Sequence, residues 1–356
     1  MTDDVVRTQG QAADLEQPPL IVLDPIETLL DELAIGAGPV TATPLGDGHS
    51  NVTYLLTRGT ERVVLRRPPR PPYAESAHDV LREARLLELL HAAGLRVPRV
   101  LATVDDTSLL GVPFVVMEHV TGHAISRTVP PELDKRADHT RIADELIDTL
   151  AELHAVDVST GQLAQIGKPD GYLDRQLRRF SAIWNEIATR PLPDLDAVTA
   201  WLTEHRPQTT ETTLVHGDYR LGNVLFAPHP PARLTAVLDW EMATLGDPLA
   251  DLGYLCATWA QPDDHENPML ALSAATRGAG FPTRAQLRER YAHRTGRSTN
   301  DHRWYEVLAL WKAAIFLEAS YRRYLAGNTN DPYFATLQDG IPTIAAHAIA
   351  RTGDAA

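Results

Sequence analysis

Residues 214–252 read LVHGDYRLGNVLFAPHPPARLTAVLDWEMATLGDPLADL. Two short apolar runs in this stretch each lead directly into an acidic residue. The first run ends in His216-Gly-Asp218, with Asn223 five residues after the aspartate, and the second ends in Asp239. Short apolar runs that are bounded by turn residues favour β-strands. The pattern therefore predicts two strands that each present a carboxylate at their end.

These residue types suit phosphoryl transfer, which asks for little covalent chemistry from a protein. The reaction needs a hydroxyl held in line, a carboxylate that takes its proton, and Mg²⁺ that neutralises phosphate charge. Either aspartate alone could be an ordinary turn residue after a strand. The joint pattern, with Asn223 at a fixed offset, favours phosphoryl transfer. We expect His216 to support the loop backbone and not to act as a base.

Protein kinases space a catalytic Asp and a metal-binding Asn in the same way, in the loop H-R-D-x-x-x-x-N, and take a second metal ligand from D-F-G. Here a glycine replaces the arginine, and Trp240-Glu241 replaces Phe-Gly. This version closely resembles the aminoglycoside phosphotransferase family of small-molecule kinases, relatives of choline kinase. The resemblance implies that Asp218 is the catalytic base, that Asn223 and Asp239 hold Mg²⁺, and that ATP is the donor.

The downstream motif G-D-P-x-x-D also matches the family. It places Asp247 before Pro248, a favourable arrangement for the start of a helix, and Asp251 four residues after Asp247. In kinase-like folds an aspartate placed like Asp251 accepts hydrogen bonds from the catalytic loop backbone. We therefore expect both residues to support the site without taking part in the chemistry.

Composition excludes several classes of protein. The net charge of −14 argues against a nucleic-acid binder, which needs a basic surface. Apolar runs are too short for a membrane span, and the acidic N-terminus lacks the apolar segment of a secretory signal. The single cysteine, Cys256, rules out an internal disulfide. Together these features predict a cytoplasmic protein.

The chain of 356 residues is long enough for two lobes, and its strand-rich first part and helical second part predict an α+β fold. The resemblance implies that this is the bilobal protein-kinase-like fold. Residues 1–18 read as a disordered tail, 19–119 as a small β-rich N-lobe that binds the nucleotide, and 120–356 as a larger, mainly helical C-lobe. We expect Asp24 to cap one N-lobe helix, and a second to begin at Ser76, with Asp79 at its third position.

A loop between the first two N-lobe strands contains glycines where a nucleotide loop would lie. Glycines let the backbone approach phosphates and offer N–H donors. The phosphate-loop interpretation assigns Gly46, Gly48, Ser50 and Asn51 to nucleotide binding. An ordinary hairpin turn is the alternative, and Asn51 stands where the kinase loop has its third glycine.

The next strand, Val-Val-Leu-Arg66, aligns with the V-A-I-K strand whose lysine contacts nucleotide phosphates in kinases. No lysine precedes Lys135. Arg66 is therefore the predicted phosphate-binding cation, with Arg67 as the alternative and a solvated arginine pair as the ordinary explanation. In kinases a helix glutamate pairs with this lysine, and the resemblance assigns that position to Glu83, or failing that Glu88.

The strand that begins at Phe114 should lead into the hinge between the lobes. By the resemblance, adenine would hydrogen-bond to backbone groups of Glu118, His119 and Val120. Side-chain identity says little here, because the backbone makes the contacts.

The acceptor pocket is predicted among helices after Asp251. An acidic and aromatic cleft would suit an ammonium substrate, whereas Arg220, Lys312, Arg322 and Arg323 could meet an anion. The candidate walls are Trp240, Tyr254, Trp259, Asp263, Asp264, Glu266, Trp311, Glu318 and Tyr321.

The sequence motifs of the C-lobe most resemble a branch of this family that includes the kinase-like domain joined to some acyl-CoA dehydrogenases. That branch favours a hydroxylated metabolite over an antibiotic. A nucleotide-binding pseudokinase remains the alternative function, because the N-lobe lysine is missing. The sequence leaves the acceptor, the choice of ATP or GTP, and the oligomeric state open.

Overall fold

The computed structural model describes residues 4–46, 51–71, 79–209, 211–327 and 331–353. Gly48, Ser50 and Ser76 therefore lie outside the described residues. The chain divides into two compact units, Met1–Thr121 and Gly122–Ala356. Within the described ranges, no helix combines the length and the apolar character that crossing a bilayer requires.

The strands of unit 1 are β1 (Val5–Val6), β2 (Ile21–Val22), β3 (Val40–Pro44), β4 (Val52–Arg58), β5 (Glu61–Arg67), β6 (Val100–Val104) and β7 (Phe114–Glu118). Five of them form an antiparallel sheet with the strand order β3-β4-β5-β7-β6. The helices of unit 1 are α1 (Gln9–Ala13), α2 (Leu23–Glu32) and α3 (Val80–Ala92). The sheet packs one face against α3 and the other against a larger apolar core.

Residues 4–18 are ordered, so the prediction of a disordered tail is wrong for them. β1 pairs in parallel with β2, with Val5 opposite Ile21, and both side chains are buried. Thr8 and Gln11 form a capping box at the start of α1. The polar composition suggested disorder, but burial of Val5 against a distant strand supplies the apolar contact that local composition does not reveal.

Two predicted helix starts are also corrected. α2 begins one residue before Asp24, which lies in its first turn, and Val22 is the cap. Asp79 is itself the N-cap of α3, because its side chain accepts a hydrogen bond from the N–H of Arg82 at 2.9 Å. An aspartate satisfies one of the unpaired N–H groups at a helix start.

Unit 2 is mainly helical. Its helices are α4 (Arg136–His154), α5 (Tyr172–Ile187), α6 (Pro193–Glu204), α7 (Leu249–Thr258), α8 (Pro268–Ala271), α9 (Arg284–Thr295), α10 (His302–Leu325) and α11 (Leu337–Thr352). Its strands are β8 (His123–Ala124), β9 (Thr213–Val215), β10 (Val224–Phe226), β11 (Leu234–Val237) and β12 (Thr244–Gly246). They form two small sheets, β11-β10-β8 and β12-β9.

The long helix α10 runs through the core of unit 2 and packs against α5, α6, α7 and α11. Most of its side chains between Trp304 and Ile315 are buried. The two aspartates of the opening motif follow β9 and β11, as the apolar runs predicted. The helical core therefore supports a loop region in which the chemistry-bearing residues are concentrated.

Candidate active site

Asp218 lies in the loop after β9, and its carboxylate is held by residues of the same loop. Nδ2 of Asn223 donates to Oδ2 of Asp218 at 2.7 Å and to the backbone carbonyl of Asp218 at 2.9 Å. Within the described residues Oδ1 accepts no hydrogen bond, and Nε of Arg220 lies 3.5 Å from it. One oxygen is thus fixed, while the other, which is buried beside Arg220, has acceptor capacity that no hydrogen bond uses.

His216 is fully buried and bridges the two halves of the motif. Its Nδ1 accepts a hydrogen bond from the backbone N–H of Asp218 at 3.2 Å, and its Nε2 lies 2.9 Å from the carbonyl of Leu238. A nitrogen that accepts and a nitrogen that donates define the neutral Nε2–H tautomer. The prediction that His216 supports the loop backbone is confirmed, and neither ring nitrogen is left for a metal.

Asp251, in the first turn of α7, fixes the backbone at the start of the motif. Its Oδ2 accepts from the N–H of His216 at 2.7 Å, and its Oδ1 from the N–H of Gly217 at 2.8 Å. Burial alone would raise the pKa of this carboxyl, but the hydrogen bond and charge of His154 outweigh it, so the pKa is lowered. The predicted contact with the loop backbone is confirmed.

Asp247 has the supporting role that its position predicted. Its Oδ1 accepts from the N–H of Leu249 at 2.9 Å at the start of α7, and its Oδ2 accepts from the hydroxyl of Tyr305 at 2.7 Å. Pro248 is the formal cap residue of the helix. Asp247 therefore joins the start of α7 to α10.

The glycine of His-Gly-Asp is required by the backbone. Gly217 has a φ of +86°, and a Cβ there would lie 2.9 Å from both the Cβ and the carbonyl oxygen of Met242. Such contacts are closer than a side chain tolerates, and the positive φ adds strain for any other residue. The arginine of the kinase motif therefore does not fit at this position.

Asp239 and Asn223 lie next to each other in the fold because the strand before Asp239 pairs with the loop. The N–H of Leu238 donates to the carbonyl of Asn223 at 2.8 Å. Asp239 has a φ of +64°, a conformation that costs energy for a non-glycine residue and often marks functional sites. This left-handed turn ends the strand at the carboxylate.

The donor set of these two residues fits Mg²⁺. Nδ2 of Asn223 is turned to Asp218, which leaves Oδ1 as the outward atom, and Asp239 adds carboxylate oxygens. Mg²⁺ prefers such oxygen ligands and keeps several waters. Within the described residues no group of three or more His, Cys, Asp or Glu side chains forms a metal cluster. The fit therefore rests on one amide and one carboxylate.

Tyr254 on α7 adds a hydroxyl near both aspartates. Burial raises its pKa well above the ordinary value, and the charges of Asp218 and Asp239 raise it further. The phenol therefore stays protonated and can only offer its hydrogen to anions at neutral pH. The sequence predicted Tyr254 as a pocket wall, and its place beside Asp218 appears only in the tertiary structure.

In unit 1, Arg66 and Glu83 form a largely buried ion pair with 2.8 Å between Nε and Oε2. Val64, on the same face of β5, packs against Val80 of α3. The strand alternation and the choice of Glu83 are thus as predicted, whereas Glu88 is exposed. The phosphate-binding role of Arg66 stays a prediction.

Arg67 points to the opposite face of β5 and is buried, with 3% of its surface exposed. Its guanidinium donates to the carbonyls of Leu20, Pro68 and Leu110. It therefore ties β5 to the two neighbouring segments. This structural role removes Arg67 as the alternative phosphate-binding cation.

The other nucleotide-binding candidates that the structure describes are Gly46, Asn51, Glu118, His119 and Val120. Gly46 has a φ of +78° in the bend after β3, and Asn51 is buried just before β4. The N–H of Glu118 donates to the carbonyl of Arg99 at 2.8 Å, so this donor is already used within unit 1. Burial and the charge of Arg62 lower the pKa of His119. Val120, which follows it, is half-buried.

The predicted acidic and aromatic cleft is wrong in most of its members, which belong to the core. The indole N–H groups of Trp240, Trp259 and Trp311 donate to Val237, Pro282 and Thr199, and all three rings are fully buried. Glu318 is also buried and accepts from Thr189, and Asp264 pairs with Arg284. Their sequence pattern could not distinguish a pocket wall from a packed core.

The sequence matches the family described as phosphotransferase enzyme family over residues 41–308. It is also 33% identical, over 295 residues, to acyl-CoA dehydrogenase family member 11 of Mus musculus. That match covers 82% of this chain and 37% of the relative. The chain thus spans little more than a third of the length of this curated relative.

Two solved structures are similar in fold. One is a protein of Ralstonia eutropha assigned to the aminoglycoside phosphotransferases, with 29% identity and a TM-score of 0.75, and the match covers 92% of this chain and 97% of that one. The other is a thermostable mutant of an aminoglycoside phosphotransferase, solved with AMP-PNP and hygromycin B. It has 18% identity and a TM-score of 0.61, over 94% of this chain and 100% of that one.

Proposed function

The chain belongs to the phosphotransferase enzyme family, and from this premise we propose that it is an ATP- and Mg²⁺-dependent kinase of a small molecule. The predicted family, the kinase-like fold and, at the level of the family, a phosphotransferase that acts on a hydroxyl group are confirmed. The donor, the metal and the acceptor belong to the proposal. The observation that carries it is the Asp218 carboxylate, which is held at Oδ2 by Asn223, while Oδ1 accepts no hydrogen bond within the described residues.

In the proposed reaction the acceptor hydroxyl attacks the γ-phosphorus of ATP. The bond to the β,γ-bridging oxygen breaks, the new oxygen–phosphorus bond forms, and ADP leaves. Asp218 takes the hydroxyl proton and later returns it to solvent. Asn223 and Asp239 would hold Mg²⁺, which neutralises phosphate charge when bound. The hydroxyl of Tyr254 can donate a hydrogen bond to charge that develops beside Asp218.

Unit 1 would contribute nucleotide contacts. We propose Arg66, oriented by Glu83, as the cation for the phosphates, because its planar fork is suited to phosphate oxygens. Gly46, Gly48, Ser50 and Asn51 would add loop contacts, and the backbone around Glu118, His119 and Val120 would bind adenine. An arginine already paired with the helix glutamate also weakens the main argument for a pseudokinase, which was the missing lysine.

We propose a small hydroxylated molecule as the partner, with no role for nucleic acid or membrane. A cytoplasmic location is part of the proposal, because a chain with one cysteine, Cys256, is typical of a reducing compartment.

The test is ADP formation from ATP with Mg²⁺ and a panel of alcohols, sugars, hydroxy acids and amino alcohols, with ³¹P NMR to detect the phosphorylated product. GTP replaces ATP in a parallel series. Turnover that requires the acceptor and Mg²⁺, and that is lost in Asp218→Asn, supports the proposal. Tight MgATP binding without turnover of any acceptor would instead favour the pseudokinase.

A further inference from the structure

The surroundings of the catalytic aspartate contain positive charge in unit 2. Nε of Arg220 lies 3.5 Å from Oδ1 of Asp218. The ammonium of Lys312, on α10, is close enough to Asp218 and Asp251 for both charges to act on it, and Arg179 adds a further positive charge. With the predicted tryptophans and Glu318 buried in the core, these cations are charges that an acceptor would meet near the base.

Lys312 is an unusual lysine in its contacts. Its Nζ lies 4.9 Å from the ring centroid of Phe180, over a side chain that is fully buried on α5. Phe316, one turn further along α10, contacts Phe180 edge-to-face at 5.0 Å and is 42% exposed. Within the described residues, Lys312 has no hydrogen-bond or ion-pair partner. Its ammonium is thus held on an aromatic surface that an incoming molecule can share.

The positive charge of Lys312 is energetically unfavourable at its position on α10. Burial lowers its pKa to about 8, even though the charges of Asp251 and Asp218 act in the opposite direction. An ammonium that is partly removed from water and lacks a hydrogen-bonding anion is incompletely compensated. A methionine or leucine would pack on Phe180 without this cost. An anionic ligand would supply the missing partner.

We propose that Lys312 binds an anionic group, a carboxylate or a phosphate, on the small molecule whose hydroxyl receives the phosphoryl group. This rests on the proposed function, since the hydroxyl must reach Asp218. The exposed ring of Phe316 beside the ammonium suits the carbon skeleton that joins such a group to its hydroxyl. A polyphosphate offers no apolar part for that surface, which favours the acceptor over the nucleotide as the partner of Lys312.

The first test measures binding without turnover. The chain has three lysines, Lys135, Lys168 and Lys312, so reductive ¹³C-dimethylation, which keeps the charge, gives three lysine signals by NMR. The Lys312→Arg variant assigns the Lys312 signal. The probes are hydroxy acids of two to six carbons, each paired with the diol of the same skeleton, and phosphoglycerate paired with glycerol.

We expect at least one acid to shift the Lys312 signal in a saturable way while its diol does not, with Lys135 and Lys168 unmoved. The proposal is overturned if no acid shifts that signal, if the diols shift it equally, or if MgATP alone produces the shift and prevents any further change by acids. These results do not depend on transfer, so the proposed function can fail separately.

The second test uses the acid selected by NMR as the acceptor in turnover. Lys312→Met keeps an unbranched stem on Phe180 but removes the charge. We expect the KM for the acceptor to rise about 10- to 100-fold, as for loss of a charge-assisted hydrogen bond, with kcat and the KM for MgATP nearly unchanged. Lys312→Arg should recover part of the affinity. Lys135→Met, at an exposed site, is the matched control.

The pH dependence gives a readout that a packing role would not produce. Because the ammonium is protonated below pH 8, the acceptor KM should rise as the pH passes through about 8 in the wild type. In Lys312→Arg the charge persists, so this rise should be absent. If the Lys312 substitutions change the KM for MgATP and leave the KM for the acceptor unchanged, the ammonium binds the nucleotide and the proposal is overturned.

Discussion

Nε of Arg66 on β5 lies 2.8 Å from Oε2 of Glu83 on α3, and both side chains are largely buried. The pair reproduces, with an arginine, the strand–helix ion pair that orients the phosphate-binding lysine in kinases. A buried carboxylate that fixes a guanidinium also fixes the direction of its remaining N–H donors. Arg66 therefore has the partner that its proposed role at the phosphates requires.

Arg66→Ala should weaken MgATP binding by about tenfold or more, as loss of a charge-assisted contact typically does. Arg66→Lys should restore function only in part, because a point charge replaces a planar fork with a different reach. Isothermal titration calorimetry with MgATP measures the affinity. If Arg66→Ala binds MgATP like the wild type, the phosphates are held by loop backbone alone.

Arg67→Ala should act on the fold instead. It removes the donors to the carbonyls of Leu20, Pro68 and Leu110, and buried acceptors without donors cost about 1–3 kcal/mol each before relaxation. We expect the free energy of unfolding to fall by ~2–4 kcal/mol. Thermal and denaturant unfolding measure this. Unchanged stability with lost nucleotide affinity would mean that Arg67 serves the phosphates after all.

Asp218→Asn should reduce transfer by ~10²–10⁴ because the general base is lost. Nucleotide affinity should stay within about threefold, since the amide oxygen can still accept from Asn223. Asp263→Asn, at an exposed aspartate, is the control. Turnover within a few-fold of the wild type would remove Asp218 from the base assignment.

Asp239→Asn should abolish most of the Mg²⁺ dependence of ATP binding. Asparagine is chosen because it tolerates the positive φ of this position, whereas alanine would add backbone strain. The expected loss is at least tenfold, since even outer residues of metal sites cost about 10–100-fold. Asn223→Ala should weaken binding less. Calorimetry measures the affinities of each variant for MgATP and for ATP alone. If the difference between these two affinities is the same as in the wild type, the metal binds elsewhere.

Asp251→Asn should destabilise unit 2 by ~1–3 kcal/mol, because an amide can accept from only one of the two N–H groups that the carboxylate pairs. The pKa of Asp251 is lowered in the folded state. Its stabilising charge is therefore fully present above the ordinary pKa near 4 and is lost as the pH falls below it. Between pH 7 and 3, the free energy of unfolding of Asp251→Asn should depend less on pH than that of the wild type. An identical acid dependence would contradict the assignment.

Much of the site could be predicted because it is encoded locally. The offset between Asp218 and Asn223 spans a single loop, so its geometry follows from the spacing. The alternation along β5 separates Arg66 from Arg67 whatever surrounds them, since side chains on a strand point to opposite faces. The helical repeat of α3 turns Glu83 toward the sheet together with its apolar neighbours.

Long-range packing could not be predicted in the same way. Val5 is ordered because it pairs with a strand sixteen residues later, across from Ile21. The tryptophans expected in a pocket are buried in the core. Their positions could not be predicted, because an aromatic residue suits a cavity wall and a packed interior equally well. Both outcomes depend on which elements meet, and local sequence does not determine that.

The sequence by itself determined the two-part α+β architecture and the order of the chemical groups along the chain, because spacing and periodicity are local properties. The resemblance of its motifs indicated the family. Only the tertiary structure decided how those groups are supported. In the structure Asp251 accepts hydrogen bonds from the loop backbone, and the buried Arg67 donates to backbone carbonyls. Lys312 lies over the ring of Phe180, where the charge of Asp218 acts on it. The reason is physical: burial, partner and charge are set by residues far away in the chain, and they decide whether the same side chain stabilises the fold or binds a ligand.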